Sequence, residues 1–331
     1  MTLMDTSTPN SPLPSGGACR LTDRGVIRAV GADAASFLHG QLSNDVSRLG
    51  SAQARLGAYC SPQGRMLASL VFARSGPEEL WLSLSADVLA PTLKRLSMFV
   101  LRAKAKLSDA SAELAVVGLA GARAAAWLGE SAPAAPWDKA DRDGAMVSRL
   151  HPARLDGTDV PVWLWIGPIA QAETVLAALP ALQPSQWARL ELATGVAQVN
   201  AATSGQFVPQ MLNYELVGGV DFRKGCYPGQ EVVARSQYLG KLKRRGFLLG
   251  ATVPMQPGQE IFWSEDAGQP AGVIAAAAAE LSGSGHAALA ELKIAVTQSG
   301  TLHLGAADGP LLALLPLPYA LPHEAAAATS A

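Results

Sequence analysis

Long apolar runs are missing from this sequence. Arg, Glu, Gly or Pro interrupts each one well before the ~18 consecutive apolar residues of a membrane span. Cysteine is scarce, with three residues at 19, 60 and 226; an odd number at wide spacing forms no disulfide framework and suits a reducing compartment. No Cys-x-x-Cys and no His/Cys pair at ligand spacing occurs, and the five histidines do not cluster, so no metal is assigned. Neither sign of charge is in excess: 26 Lys+Arg stand against 27 Asp+Glu, which leaves no global field to draw the chain onto nucleic acid or an anionic bilayer. The first residues lack the basic opening and apolar segment of an export signal. Together these absences exclude a secreted disulfide scaffold and a polybasic binder, and the expectation is a soluble cytoplasmic protein with no membrane partner.

What is present is apolar and long. Hydrophobic residues make up 49% and charged ones 16% of 331 residues, against ~25% charged in an average protein, so whole-chain disorder is excluded and two or three compact units are expected. Strands are expected over 26–30, 55–60, 66–73 and 79–85, with a hairpin turn at Ser61-Pro-Gln-Gly64. Asp33 is read as the cap of a short helix that stops near Gly40. Leu89, Leu93, Leu96 and Val100 recur at helical spacing over 87–100, with Pro91 read as lying in the first turn. Further strands at 113–119 and 160–166, with helices near 121–128, 168–179 and 185–194, give an α+β body in two similar halves. After residue 245, six short apolar stretches alternate with Gly, Pro and Ser-Gly turns, the pattern of a small β-barrel or sandwich. The segments 1–18 and 322–331 have no apolar periodicity and read as mobile tails.

The chemistry concentrates in Gly218-Gly-Val-Asp-Phe-Arg-Lys-Gly-Cys-Tyr-Pro-Gly-Gln-Glu231, with Arg235 close behind. Gly225 and Gly229 permit backbone angles closed to other residues and Pro228 fixes φ, so a stiff loop is expected. A helix beginning after Gly229, with Gln230 and Glu231 in its first turn, would put Cys226 near its positive end beside Arg223 and Lys224, an arrangement that favours a thiolate. On these residues alone, Cys226 is either a reactive thiol or a small apolar filler in a buried turn.

Lys224-Gly-Cys-Tyr-Pro-Gly-Gln-Glu231, with Phe207-Val-Pro-Gln-Met-Leu-Asn213 before it and Tyr238-Leu-Gly-Lys-Leu-Lys-Arg244 after it, resembles the signature of the folate-binding YgfZ family. Phe37-Leu-His-Gly-Gln-Leu-Ser-Asn-Asp45, Gly64-Arg65 and Ala271-Gly-Val-Ile274 also resemble that family and its relative, the aminomethyltransferase T-protein of glycine cleavage. Coverage runs from about residue 20 to 318. The resemblance implies an aminomethyltransferase-like α+β folate-binding body over 19–245, split near 110–120 into ferredoxin-like subdomains around a central channel. A C-terminal barrel over 246–321 would follow. It implies a role in assembling or repairing iron–sulfur clusters in client enzymes, including tRNA-thiolating ones. Cys226 is the functional thiol of that reading, set between Lys224 and Tyr227 in the loop of Gly225, Gly229, Gln230, Glu231 and Arg235. The cofactor is tetrahydrofolate or a derivative, with a transient iron–sulfur cluster as a further candidate, and the partners are client enzymes and the assembly machinery.

A pterin presents a ring amide and an exocyclic amino group side by side, a donor pair that a carboxylate accepts through both oxygens. Glu191, on an expected helix ending at Gly195 and in a segment similar to the T-protein's pterin side, is the first candidate. The alternative for it is an ion pair with Arg189 or a neighbouring helix. The amides of Gln210 and Asn213 are secondary candidates for the same edge, and Arg65, Arg235 and Lys241 are candidates for the anionic glutamate tail. The T-protein's catalytic carboxylate position falls near Thr92, and its Pro-x-Glu appears as Pro209-Gln-Met, so aminomethyl transfer is not expected. A folate-dependent transferase or demethylase would need Asp87 or Asp45 in that role. A third reading, an RNA-contacting partner of a tRNA-modifying enzyme, would use Lys241, Lys243, Arg244 and Arg245; direct nucleic-acid binding is not expected.

Overall fold

The computed structural model describes residues 15–238 and 242–322. The chain opens with β1 (Gly17–Arg20), β2 (Arg24–Val30), α1 (Ala34–His39), β3 (Ala54–Cys60), β4 (Met66–Gly76), β5 (Glu79–Ser85), α2 (Ala86–Met98) and β6 (Lys106–Asp109). All of these strands except β1 form an antiparallel sheet of order β3-β4-β5-β2-β6. The second half contains β7 (Leu114–Ala120), α3 (Gly121–Leu128), β8 (Lys139–Arg142), β9 (Ala145–Arg149), the hairpin β10 (Ala153–Leu155) and β11 (Thr158–Val160), β12 (Val162–Pro168) and α4 (Ile169–Ala178). Its sheet has the order β1-β7-β12-β9-β8, so β1 crosses from the first half to pair with β7. Strand β1 begins within the segment read as a tail; its ladder to β7 holds a stretch that shows no periodicity of its own.

Alternation along the strands assigns the layers. On β7, Ala115, Val117 and Leu119 pack with α3 and α4, while Leu114, Val116 and Ala120 face the centre of the molecule. On β5, Leu80, Leu82 and Leu84 pack under α1 and α2, while Trp81 faces the centre. Both sheets are thus covered on two faces, helices outside and a shared core between them, which is why β7 is buried throughout. Two local expectations change. Asp33 sits at the start of α1 without capping it, because its carboxylate accepts the Lys104 backbone N–H at 2.7 Å. Because α2 begins at Ala86, Pro91 lies beyond the first turn and inside the helix, where its ring offers no N–H to the carbonyl four residues earlier.

Helix α5 (Pro184–Ala193) follows, and between it and α6 (Gln230–Tyr238) the only helical element is the 3₁₀ turn Pro209–Leu212. This irregular stretch is not a surface loop: Phe207, Leu212, Tyr214 and Val217 are buried in the central core. The remaining strands, β13 (Arg244–Ala251), β14 (Glu260–Trp263), β15 (Gly272–Ala279), β16 (His286–Lys293), β17 (Leu302–Leu304) and β18 (Leu311–Leu315), close into a barrel of order β13-β16-β15-β14-β17-β18. Closure by the β13–β18 ladder decides between barrel and sandwich. Among the described residues no helix is long and apolar enough to cross a membrane.

Candidate functional site

Two sequence motifs about 175 residues apart meet at the loop 218–229. Ser43 Oγ–H donates to the Gly219 carbonyl at 2.7 Å, Asn44 Nδ2–H donates to the Gly218 carbonyl at 2.6 Å, and the Asp221 N–H donates to the Ser43 carbonyl at 3.0 Å. At its far end the loop rests on the β3–β4 turn. Gly229 has φ +78°, and a Cβ there would lie 2.4 Å from the Ser61 carbonyl oxygen, so this position tolerates only glycine. Gly225 differs from its sequence reading: it does not adopt positive φ, and its closeness is to His39, whose Nε2 would lie 3.3 Å from an added Cβ.

Cys226 is exposed on this clamped loop, four residues before α6, whereas Cys19 and Cys60 are buried and their thiols are pushed up by burial to about 11 and about 12. Lys224 is buried beside it. Its Nζ–H donates to the Gly225 carbonyl at 3.0 Å and sits 4.6 Å from the centre of the Tyr227 ring. Burial lowers the ammonium to about 8, against the opposing pull of Asp45, Asp221 and the Cys226 sulfur, so an amine able to take or release a proton near neutral pH lies next to the thiol. Tyr227 is buried with its hydroxyl unpartnered and pushed up by that burial. Gln230 is half-buried, and Glu231 and Arg235 are exposed on α6.

Asp45 secures the other side of the clamp. Burial alone would raise its carboxyl. The Arg48 backbone N–H at 2.9 Å, the Arg48 guanidinium at 2.5 Å and the Ser47 hydroxyl at 2.8 Å outweigh burial and hold it well below the usual carboxylate range. His39 Nδ1 lies 3.2 Å from the same carboxylate. A folded-state pKa below the unfolded one stabilises the protein fully above the unfolded value near 3.9, and that stability is lost as pH falls through the folded value. Asp45→Asn should therefore cost about 2 kcal/mol near neutral pH. Its melting-temperature gap to wild type should narrow as pH drops from 4 towards 2, and a gap constant with pH would contradict this assignment.

Next to the clamp an open cleft of about 580 Å³ is lined by Asn44, Arg55, Trp137, Asp221, Arg223 and Tyr238, among others. Behind it, between the two sheets, is an enclosed chamber of about 20 Å³ lined by Arg24, Ser83, Trp137, His151, Glu191 and Gln198, among others. Trp137 is common to both linings and so forms the wall between them. It adopts φ +70°, rare for a bulky residue, and is held there by its N–H to the Arg149 carbonyl and its carbonyl to the Ala54 N–H, each at 2.8 Å. Its indole N–H donates to the Val217 carbonyl at 2.9 Å, and His151 Nε2–H donates to the same oxygen at 3.2 Å. Burial lowers the His151 imidazole, which meets the Trp137 ring edge-on at 5.6 Å.

Glu191 reaches the chamber from α5 as the one carboxylate in the lining among the described residues. Burial pushes its carboxyl up, and Arg24 of β2, with Nη2 2.5 Å from Oε2, pulls it back. Arg189 is not its partner; it pairs instead with Glu280 of the barrel domain.

The other sequence candidates lie elsewhere. Gln210 and Asn213 line neither cavity: Gln210 Nε2–H donates to the Val233 carbonyl of α6 at 2.7 Å, and Asn213 Nδ2–H donates to the Gly246 carbonyl of the barrel at 2.9 Å. They were attractive by residue type, but burial has turned them into links between elements. Arg65 Nη1–H donates to the Gln206 carbonyl at 2.5 Å and also stays outside both linings. Lys241 is outside the described residues, as are 1–14 and 323–331. Asp87 accepts from Ser85 Oγ–H and the Ala201 N–H and lines neither cavity. Arg244 and Arg245 are neutralised by Glu291 and Glu215, which leaves Lys243 of the described cations in that run exposed and without an acidic partner. Sequence reasoning missed Arg24, Trp137 and His151; none stands in a motif.

A family model described as the GCVT N-terminal domain matches residues 16–160. The chain is 32% identical over 256 residues to the tRNA-modifying protein YgfZ of Colwellia psychrerythraea, covering 77% of this chain and 76% of that protein. It is 30% identical over 258 residues to the tRNA-modifying protein YgfZ of Cronobacter sakazakii (73% and 74% covered), and 32% identical over 266 residues to that of Edwardsiella ictaluri (77% and 79%). Among solved structures it is similar to the glycine cleavage system aminomethyltransferase T of Bartonella henselae, with TM-score 0.73 over 93% of this chain and 87% of that one. At 17% identity that likeness is one of fold, and it makes this an aminomethyltransferase-like fold.

Proposed function

Because the chain belongs to the YgfZ family, we propose that it is a folate-binding accessory protein that supports the assembly or repair of iron–sulfur clusters in client enzymes, tRNA-thiolating enzymes included. The observation that carries the reading is an exposed thiol on a loop clamped at both ends, next to a cleft whose inner wall backs onto a buried carboxylate.

The residues suit a reduced folate. Glu191 carries the two acceptor oxygens that the donor pair of a pterin needs, one of them held by Arg24, and Trp137 offers an aromatic face. Arg55 and Arg223 on the cleft suit the carboxylates of a glutamate tail better than Arg65 does, since they line the opening. The cleft volume of about 580 Å³ falls in the range of small-molecule sites. A bound reduced folate would supply a one-carbon carrier or a reductant next to the loop. A thiolate at Cys226 is a soft donor suited to iron or to exchange with a sulfur–sulfur bond, and the buried Lys224 ammonium close by in the loop would favour the charge on that sulfur.

Titration of tetrahydrofolate into the purified protein under reducing, anaerobic conditions should give a saturable change in tryptophan fluorescence. Trp137→Phe should lose most of that change while binding persists by calorimetry. Absence of a saturable response in the wild type would refute the ligand half of the proposal, and a full response in Trp137→Phe would place the ligand away from this wall.

A further inference from the structure

One of the two acceptor oxygens of Glu191, Oε2, is already engaged by Arg24. The Arg24 guanidinium against it is enclosed, with 8% of its side chain exposed. To a carboxylate, a guanidinium and the 2-amino edge of a pteridine look alike: each presents coplanar N–H donors on two nitrogens bonded to one carbon. The chamber around the pair, about 20 Å³, has room for about one water and none for a fused bicyclic ring. Ring and guanidinium therefore cannot face Glu191 together.

Arg24 has somewhere to go. It also lines a surface groove of about 350 Å³ between β2 and α2, on another side of the pair from Trp137's cleft. Asp109 lines the same groove, and Asp23, whose carboxylate is exposed, already has an oxygen 3.8 Å from Arg24 Nε. A guanidinium leaving Glu191 would keep an acidic neighbour at the surface, while Glu191 would exchange a partner that gives it one donor for one that offers it two.

We propose that Arg24 is an internal stand-in for the ligand, occupying Glu191 until a planar 2-amino heterocycle displaces it into the groove. The inference rests on the folate reading of Glu191 and adds to it a competition within the chain. A site of this kind binds with an affinity reduced by the fraction of time the stand-in is absent, and it selects against heterocycles that lack the amino group.

The test is Arg24→Ala, with Arg24→Met as the second variant should the first not fold. Tetrahydrofolate should bind Arg24→Ala at least tenfold more tightly than wild type, as expected if the pair is open no more than about a tenth of the time. Millimolar guanidinium chloride, against matched sodium chloride, should bring the affinity back towards wild type by re-entering beside Glu191. Arg24→Ala/Glu191→Gln should show no response to guanidinium. Equal or weaker binding by both Arg24 variants would make Arg24 a direct ligand or a brace and overturn the proposal. If tetrahydrofolate binds none of the proteins, the folate reading fails, and the stand-in is judged by melting temperature alone. Guanidinium must then raise that of Arg24→Ala but not that of wild type or the double variant, and the absence of such a rise overturns it.

Discussion

A strain whose only copy carries Cys226→Ser should show [4Fe–4S] client activity as low as a strain lacking the protein, while the purified variant keeps its stability to within about 0.5 kcal/mol. The second half follows from placement. Cys226 is exposed, and the loop around it is held by Ser43, Asn44 and the β3–β4 turn rather than by its sulfur. The first half follows from chemistry: a serine hydroxyl neither ionises near neutral pH nor binds iron as a thiolate does. Cys19 and Cys60 cannot substitute, because burial takes both thiols out of the range in which they ionise. Client activity equal to wild type in the variant strain would remove the thiol from the proposed function. A large loss of stability would instead make the cysteine structural.

Added to Arg24→Ala, where no internal competitor remains, Glu191→Gln should weaken tetrahydrofolate binding about 100-fold. The amide keeps one acceptor but turns a donor towards a ligand edge that has only donors, so one charge-assisted bond is lost and one mismatch is created. Together these are worth about 3 kcal/mol. In the chain that keeps Arg24, the same substitution also leaves Arg24 against a weaker partner and so relieves the competition, and the single variant should lose less affinity than that. Unchanged affinity in the double variant would move the pterin away from Glu191 and take the stand-in role of Arg24 with it.

Transferase chemistry is the reading that loses most ground. The carboxylates nominated for it, Asp45 and Asp87, are committed to Arg48 and Ser47 in one case and to Ser85 and the Ala201 N–H in the other. Neither lines the chamber or the cleft.

What was readable in advance was local. Turn chemistry and short apolar runs encode backbone conformation over a few residues, so the β3–β4 hairpin, the six barrel strands and a helix starting at Gln230 were all legible. The run from Lys224 to Arg235 was legible for the same reason: its glycines, proline and cysteine act on one another within a single loop. The long-range pairings were not legible. Arg24 meets Glu191 across 167 residues, Trp137 meets the Val217 carbonyl across 80, and Ser43 meets Gly219 across 176. Gln210 and Asn213 looked like ligand readers by residue type and were buried as links between elements. Periodicity states which face of a strand is apolar but not what covers it; that was decided when two sheets closed on a shared core and left one small polar chamber between them. Chain order thus determined where the cysteine loop is and what it is made of, and only packing determined which carboxylate, guanidinium and indole stand behind it.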